Sequence, residues 1–178
     1  MGITKFIYYR LLGWNIEGAF DKNLKKAVVI VVPHTSWHDF YIGAFVRRIL
    51  KTEINFVAKE ELFAWPFGWY FKWMGGAPLD RTSGQNKVES IAKIFNSREE
   101  FRLAIAPEGT RKKVENWKTG FYYIASTAQV PIIRVAFDYK RKIVTIAEPF
   151  NPTGNINEDM IALRSFYKGV VGKVPEYS

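Results

Sequence analysis

Residues 27–32 read AVVIVV, and Pro33 ends the run. A stretch of consecutive small and β-branched apolar residues has no polar face to offer water. It suits a strand covered on both sides, as in a parallel or mixed sheet sandwiched between helices. With Pro33 it is also the longest clean apolar run in the chain, far short of the roughly 20 residues that a membrane-crossing helix needs.

The segments around it alternate in period. Residues 36–50 place Phe40, Ala44, Val46, Ile49 and Leu50 at helical spacing and end in Arg47, Arg48 and Lys51, where cations oppose the helix dipole. Further strands are expected at 53–58, 102–106, 131–137 and 142–147, the last two as neighbours around a basic turn at 139–141. Further helices are expected at 60–74, interrupted at Pro66 and Gly68 and stopped by Gly75 and Gly76, and at 86–96, 116–128 and 156–170. Strands alternating with helices predict an α/β fold: a mixed, mostly parallel sheet flanked by helices. No repeat, low-complexity tract or linker divides the 178 residues, so residues 1–178 read as a single domain.

The net charge is +9 and the isoelectric point about 9.7. Such a balance favours anionic partners: nucleic acid, an anionic membrane surface, phosphorylated substrates or an acidic carrier protein. The charges are scattered and no RNA-binding signature is present, which argues against nucleic acid. The chain has no cysteine, which removes disulfides, thiolate metal sites and a cysteine nucleophile. Aromatics make up 16%; they fill a large core or sit at a membrane interface. Residues 1–20 lack a signal-peptide pattern. They place Ile3, Phe6, Ile7, Leu11 and Trp14 near helical spacing with Lys5 and Arg10 between. This is either an amphipathic helix on a membrane surface or a terminal helix packed on the core.

Three polar segments follow strand ends, where α/β folds gather their ligands: PHTSWHDF at 33–40, LDRTSG at 79–84 and PEGTRKK at 107–113. The chain's two histidines, His34 and His38, both lie in the first. A histidine acts as a general base near neutral pH, and a carboxylate on its other ring nitrogen fixes the tautomer. Asp39, five residues on, reaches back to His34 if a helix starts between them. The alternative is that Ser36 or Asp39 merely caps that helix. Metal ligation by His34, His38 and Asp39 is the weaker reading, because no other ligand cluster is in sight. Arg81, Arg111, Lys112 and Lys113 in the other two segments suit phosphate, or else form a solvated basic face.

Taken together these segments resemble the glycerolipid acyltransferase family, which contains the lysophosphatidic acid acyltransferases. The H-x4-D block matches His34 and Asp39. The Asp/Asn-Arg block matches Asp80 and Arg81 after Gly76. The E-G-T-R block matches Glu108, Gly109, Thr110 and Arg111, and a Val-Pro-Ile-Ile strand matches residues 130–133. Lys59, Glu61, Leu62, Pro66, Gly68, Lys118 and Gly120 also fit. The resemblance spans roughly residues 27–148; within it Arg134 stands where the family usually has proline.

The resemblance implies an acyl transfer with His34 as base and Asp39 as its orienting partner. Arg81, Glu108, Gly109, Thr110, Arg111 and Lys118 would shape the substrate site. It implies no metal and no bound cofactor, with acyl-CoA or acyl–acyl carrier protein as donor substrate. The acceptor would be a lysophospholipid, first of all 1-acylglycerol-3-phosphate, with glycerol phosphate or a lyso-aminolipid as the alternatives, and the partners would include an anionic membrane surface and no nucleic acid. The place expected is the cytoplasm, peripheral on the inner face of the membrane. Arg134 is expected to reshape the acyl pocket or to add a phosphate or carrier-protein contact.

Overall fold

The protein is described by a computed structural model covering residues 2–66, 68–73, 75–79 and 87–178. Strands β1 (Asn15–Glu17), β2 (Lys26–Val32), β5 (Phe101–Ile105), β6 (Ile132–Asp138) and β7 (Ile143–Ile146) form one sheet in the order β1-β7-β6-β2-β5. All its pairs are parallel except the β6–β7 hairpin. A smaller parallel pair, β3 (Phe56–Lys59) and β4 (Gly76–Leu79), extends it beyond β5. The join is Asn55, whose N–H donates to the Arg102 carbonyl (2.7 Å) and whose carbonyl accepts from Ala104 (2.8 Å).

The AVVIVV run lies in β2, paired on both sides, and alternation sends its residues to two cores. Val28, Ile30 and Val32 pack against α4 (Lys87–Ser97), α5 (Gly120–Ala128) and α6 (Ile156–Ser165), through Ile91, Phe95, Phe121 and Leu163. Ala27 and Val29 pack with Ile42 and Val46 of α2 (His38–Leu50) and with Phe137 of β6. The expected α/β class and the mostly parallel sheet are what the chain forms. Because β2, β5 and β6 are parallel, their C-terminal ends share one edge, and His34, Glu108 and Tyr139 all follow from it.

Several boundaries differ from expectation, each for a local reason. β4 occupies residues read only as a stop and a polar loop. Its Gly-Ala-Pro opening has poor strand propensity, and proline is tolerated because β4 is an edge among the described strands. β3 starts at Phe56, because the Asn55 amide is spent on cross-links: Oδ1 accepts from Arg102 N–H (3.2 Å) and Nδ2 donates to Glu53 (3.0 Å). α5 starts at Gly120, because Lys118 N–H turns back to the Pro107 carbonyl (2.8 Å). α6 ends at Ser165, followed by turn bonds and Gly169 at φ 79°. The N-terminal helix is confined to α1 (Ile3–Phe6) and a π-turn at Ile7–Leu11, after which Gly13 (φ 69°) redirects the chain into β1. Tyr8 and Trp14 are buried, whereas Ile3, Phe6 and Leu11 stay exposed.

Candidate active site

The helix that begins at His38 carries Asp39 back beneath His34. The His34 Nδ1 lies 2.9 Å from Asp39 Oδ2. A carboxylate only accepts, so Nδ1 carries the proton and Nε2 keeps its lone pair. The same Oδ2 accepts from Ser36 N–H (3.0 Å), and Oδ1 accepts from the Tyr139 hydroxyl (2.7 Å). Asp39 is therefore both a cap for the turn and the partner of His34. Its side chain is 2% exposed, while the His34 ring is 27% exposed. A shielded carboxylate strengthens its hold on the imidazole, whose Nε2 has no hydrogen-bond partner among the described residues.

Tyr139 was not singled out as a site residue from sequence. It arrives from the β6–β7 turn, and Trp14 packs edge-on against its ring at 4.8 Å between centroids. Burial first, and then the bond to Asp39, push the phenol's pKa up, so Tyr139 stays a donor. A lone tyrosine in a basic turn carries no local signal for such a role.

Glu108 sits on the other side of the pair, at the end of β5. Its Oε2 accepts the backbone N–H of His34 at 2.8 Å. Burial pushes its carboxyl above the ordinary range, against the pull of that N–H. The carboxylate fixes the peptide that carries the His34 ring. Glu108→Ala removes a bond worth about 1.5–3 kcal/mol. If all of that is lost in positioning, kcat falls about ten- to a hundredfold. Steady-state kinetics should show the loss in kcat rather than KM, with Glu108→Gln recovering most of it because its amide oxygen still accepts.

The rest of the E-G-T-R segment turns outward. Gly109 has φ 64°, and a Cβ there would meet the Lys118 Nζ at 2.7 Å. This brings Lys118 over Gly109, as the two were grouped from sequence. Thr110 Oγ1 accepts from Lys112 N–H (3.3 Å), and Thr110 and Arg111 are exposed beside the strand edge. Arg81 lies outside the described residues. His38 does not join His34: its Nδ1 is 2.8 Å from Ser36 Oγ and its ring rests on Trp37. No group of three His, Cys, Asp or Glu suited to a metal occurs among the described residues. Arg134 packs between rings, 5.7 Å from the Phe150 centroid and 5.2 Å from that of Phe166. One of its amino groups donates to the Glu148 carbonyl at 3.4 Å. Its guanidinium is thus engaged in packing beside α6.

A carboxylate-oriented histidine at the C-terminal edge of a mostly parallel sheet is an arrangement suited to taking a proton from a hydroxyl. The family model described as Acyltransferase matches residues 15–138, and the chain belongs to the acyltransferase family. It is 30% identical over 135 residues to the 1-acyl-sn-glycerol-3-phosphate acyltransferase of Streptococcus pneumoniae (strain ATCC BAA-255 / R6), a match covering 71% of this chain and 50% of that protein. The chain thus spans about half the length of this curated relative. Among solved structures, the 1-acyl-sn-glycerophosphate (LPA) acyltransferase PlsC from Thermotoga maritima superposes with a TM-score of 0.57 at 20% identity, covering 96% of this chain and 82% of that one. At that identity the likeness establishes a shared fold.

Proposed function

We propose that the protein is an O-acyltransferase of phospholipid biosynthesis. It moves a fatty acyl group from acyl-CoA or acyl–acyl carrier protein to the hydroxyl of a lysophospholipid, with 1-acylglycerol-3-phosphate as the first acceptor. The observation that carries this reading is the His34–Asp39 pair with Nε2 free at the strand edge. The hydroxyl gives its proton to His34 Nε2 as its oxygen attacks the thioester carbonyl. The tetrahedral oxyanion collapses, the C–S bond breaks, and the leaving sulfur takes the proton back from the imidazolium. The ester and a free thiol result. Asp39, held by Ser36 and Tyr139, stabilises the transient positive charge. Direct transfer of this kind calls for no metal and no bound cofactor.

The acceptor's phosphate needs cationic partners, and Arg111, with Arg81 by resemblance, fits that need. Arg111→Ala is expected to raise KM for 1-acylglycerol-3-phosphate about tenfold or more, the size of a lost charge-assisted bond. Its effect on phosphate-free lyso-acceptors should be small. Equal losses on both would remove Arg111 from phosphate binding.

Exposed aromatics support attachment to an anionic bilayer. Trp65 is 92% and Trp69 71% exposed, with Tyr70 and Trp73 following on α3 (Gly68–Trp73). On α2, Trp37 and Tyr41 are exposed at spacing that shares a face with Arg48. A depression lined by Arg47, Arg48, Lys51 and Glu53 also includes Trp73. Large exposed aromatic surface beside cations suits an interface of acyl chains and phosphates. No described helix is long and apolar enough to cross a membrane. The exposed aromatics and cations support peripheral attachment, at the inner face where thioester donors are held. Replacing Trp65, Trp69 and Trp73 by serine should lower partitioning onto anionic vesicles at least about tenfold in a sedimentation assay, given about 1.5–3 kcal/mol for a large side chain fully buried. Unchanged partitioning would rule the patch out.

A further inference from the structure

A second opening reaches the same strand edge from the opposite face of the sheet. It is a cleft of about 540 Å³ between α6 and the loop at 108–117, within the size range of small-molecule sites. Pro33 and Glu108 are among the residues that line it. One is the residue before His34, and the other is the carboxylate that holds the His34 N–H. Its apolar lining includes Val32, Val114 and Trp117. The flanking cations are Lys113, Arg164 and Lys168, and Glu108 is the one acidic side chain lining it among the described residues.

Arg164 is already in place. Its guanidinium lies 5.4 Å from the Trp117 ring centroid, and one amino group donates to the Glu115 carbonyl at 2.5 Å. A guanidinium has five N–H donors, so others remain for an anion. Lys113 and Lys168 are exposed. The ring of His34 is meanwhile oriented from the α2 side by Asp39 and Tyr139.

We infer that this cleft seats the phosphopantetheine arm through which coenzyme A and acyl carrier proteins both carry a thioester, with Lys113, Arg164 and Lys168 meeting its phosphate. The inference rests on the acyl-transfer reading above and adds the donor site to it. The arm has a phosphate that carries one negative charge in either carrier, a flexible uncharged middle, and a sulfur at its tip. Those three parts match the cations, the apolar residues and the Pro33–Glu108 pair next to His34 that line the cleft. A role for Arg164 confined to tying α6 to the loop would give Lys113 and Lys168 no part in donor binding.

The test measures binding without turnover. The probes are a thioether analogue of an acyl-CoA, the same thioether on a phosphopantetheinyl carrier protein, and a short-chain 1-acylglycerol-3-phosphate. Isothermal titration compares the intact protein with the double variant Lys113→Gln, Lys168→Gln, whose exposed side chains leave the fold alone. The dissociation constants of both thioethers should rise about tenfold, and that of the acceptor less than about twofold. No change for either thioether, or weakening of the acceptor instead, would overturn the donor site. Weakening of the coenzyme A probe alone would overturn the shared arm and move recognition to the nucleotide phosphates. An intact protein that binds both thioethers yet transfers no acyl group would count against the acyl-transfer reading and leave the cleft assignment standing.

Discussion

Alanine at His34 is expected to lower kcat for acyl transfer at least about a hundredfold, and up to about ten-thousandfold, the range for losing a positioned general base. The loss should be chemical. The His34 backbone bond to Glu108 does not involve the ring and survives. Asp39 keeps two donors, Ser36 N–H and the Tyr139 hydroxyl, so its buried charge is still partnered. The ring itself is partly exposed and is not a core element. The variant should therefore unfold cooperatively and bind a donor thioether like the parent. Near-normal turnover in a folded variant would remove His34 as the base.

Asparagine at Asp39 is expected to cost about as much, although it changes almost no volume. Asp39 accepts from three donors: His34 Nδ1–H, Ser36 N–H and Tyr139 O–H. An amide has one oxygen for them and turns an NH₂ group toward the rest. If that NH₂ faces His34, the imidazole must present Nδ1 as the acceptor, and its proton moves to Nε2. The nitrogen needed as base is then occupied. In Ser-His-Asp sites the same exchange costs about 10⁴ in kcat, and we expect about 10³–10⁴ here with KM nearly unchanged. Stability should fall too, by about 1–3 kcal/mol for the donor left facing a donor, readable as a lower midpoint in urea. A loss below tenfold in kcat would mean that the His34 tautomer is set by something other than Asp39.

Legibility followed the range of the interaction. β2 and α2 were readable because a β-branched run and a helical stripe are local patterns, and the His34–Asp39 contact needs only the turn between them. β4 was hidden because its Gly-Ala-Pro opening resembles a stop. Tyr139 was hidden for a different reason: a turn 100 residues beyond Asp39 becomes its neighbour only when β6 pairs with β2. Glu108 was singled out as part of a substrate segment, but nothing local says that its carboxylate would close on the His34 N–H; that contact needs β2 and β5 side by side. Arg134 lost a proline's place and gained two phenylalanine rings, one after β7 and one after α6.

The central claim is direct transfer of an acyl group from a thioester to a lipid hydroxyl through His34. The most direct measurement is release of free thiol from acyl-CoA and from acyl–acyl carrier protein, with and without 1-acylglycerol-3-phosphate. The account predicts thiol release that requires the acceptor, matches the diacyl product one for one, and shows no burst when the acceptor is withheld. A burst without acceptor, or no release from either donor with the acceptor present, would contradict it.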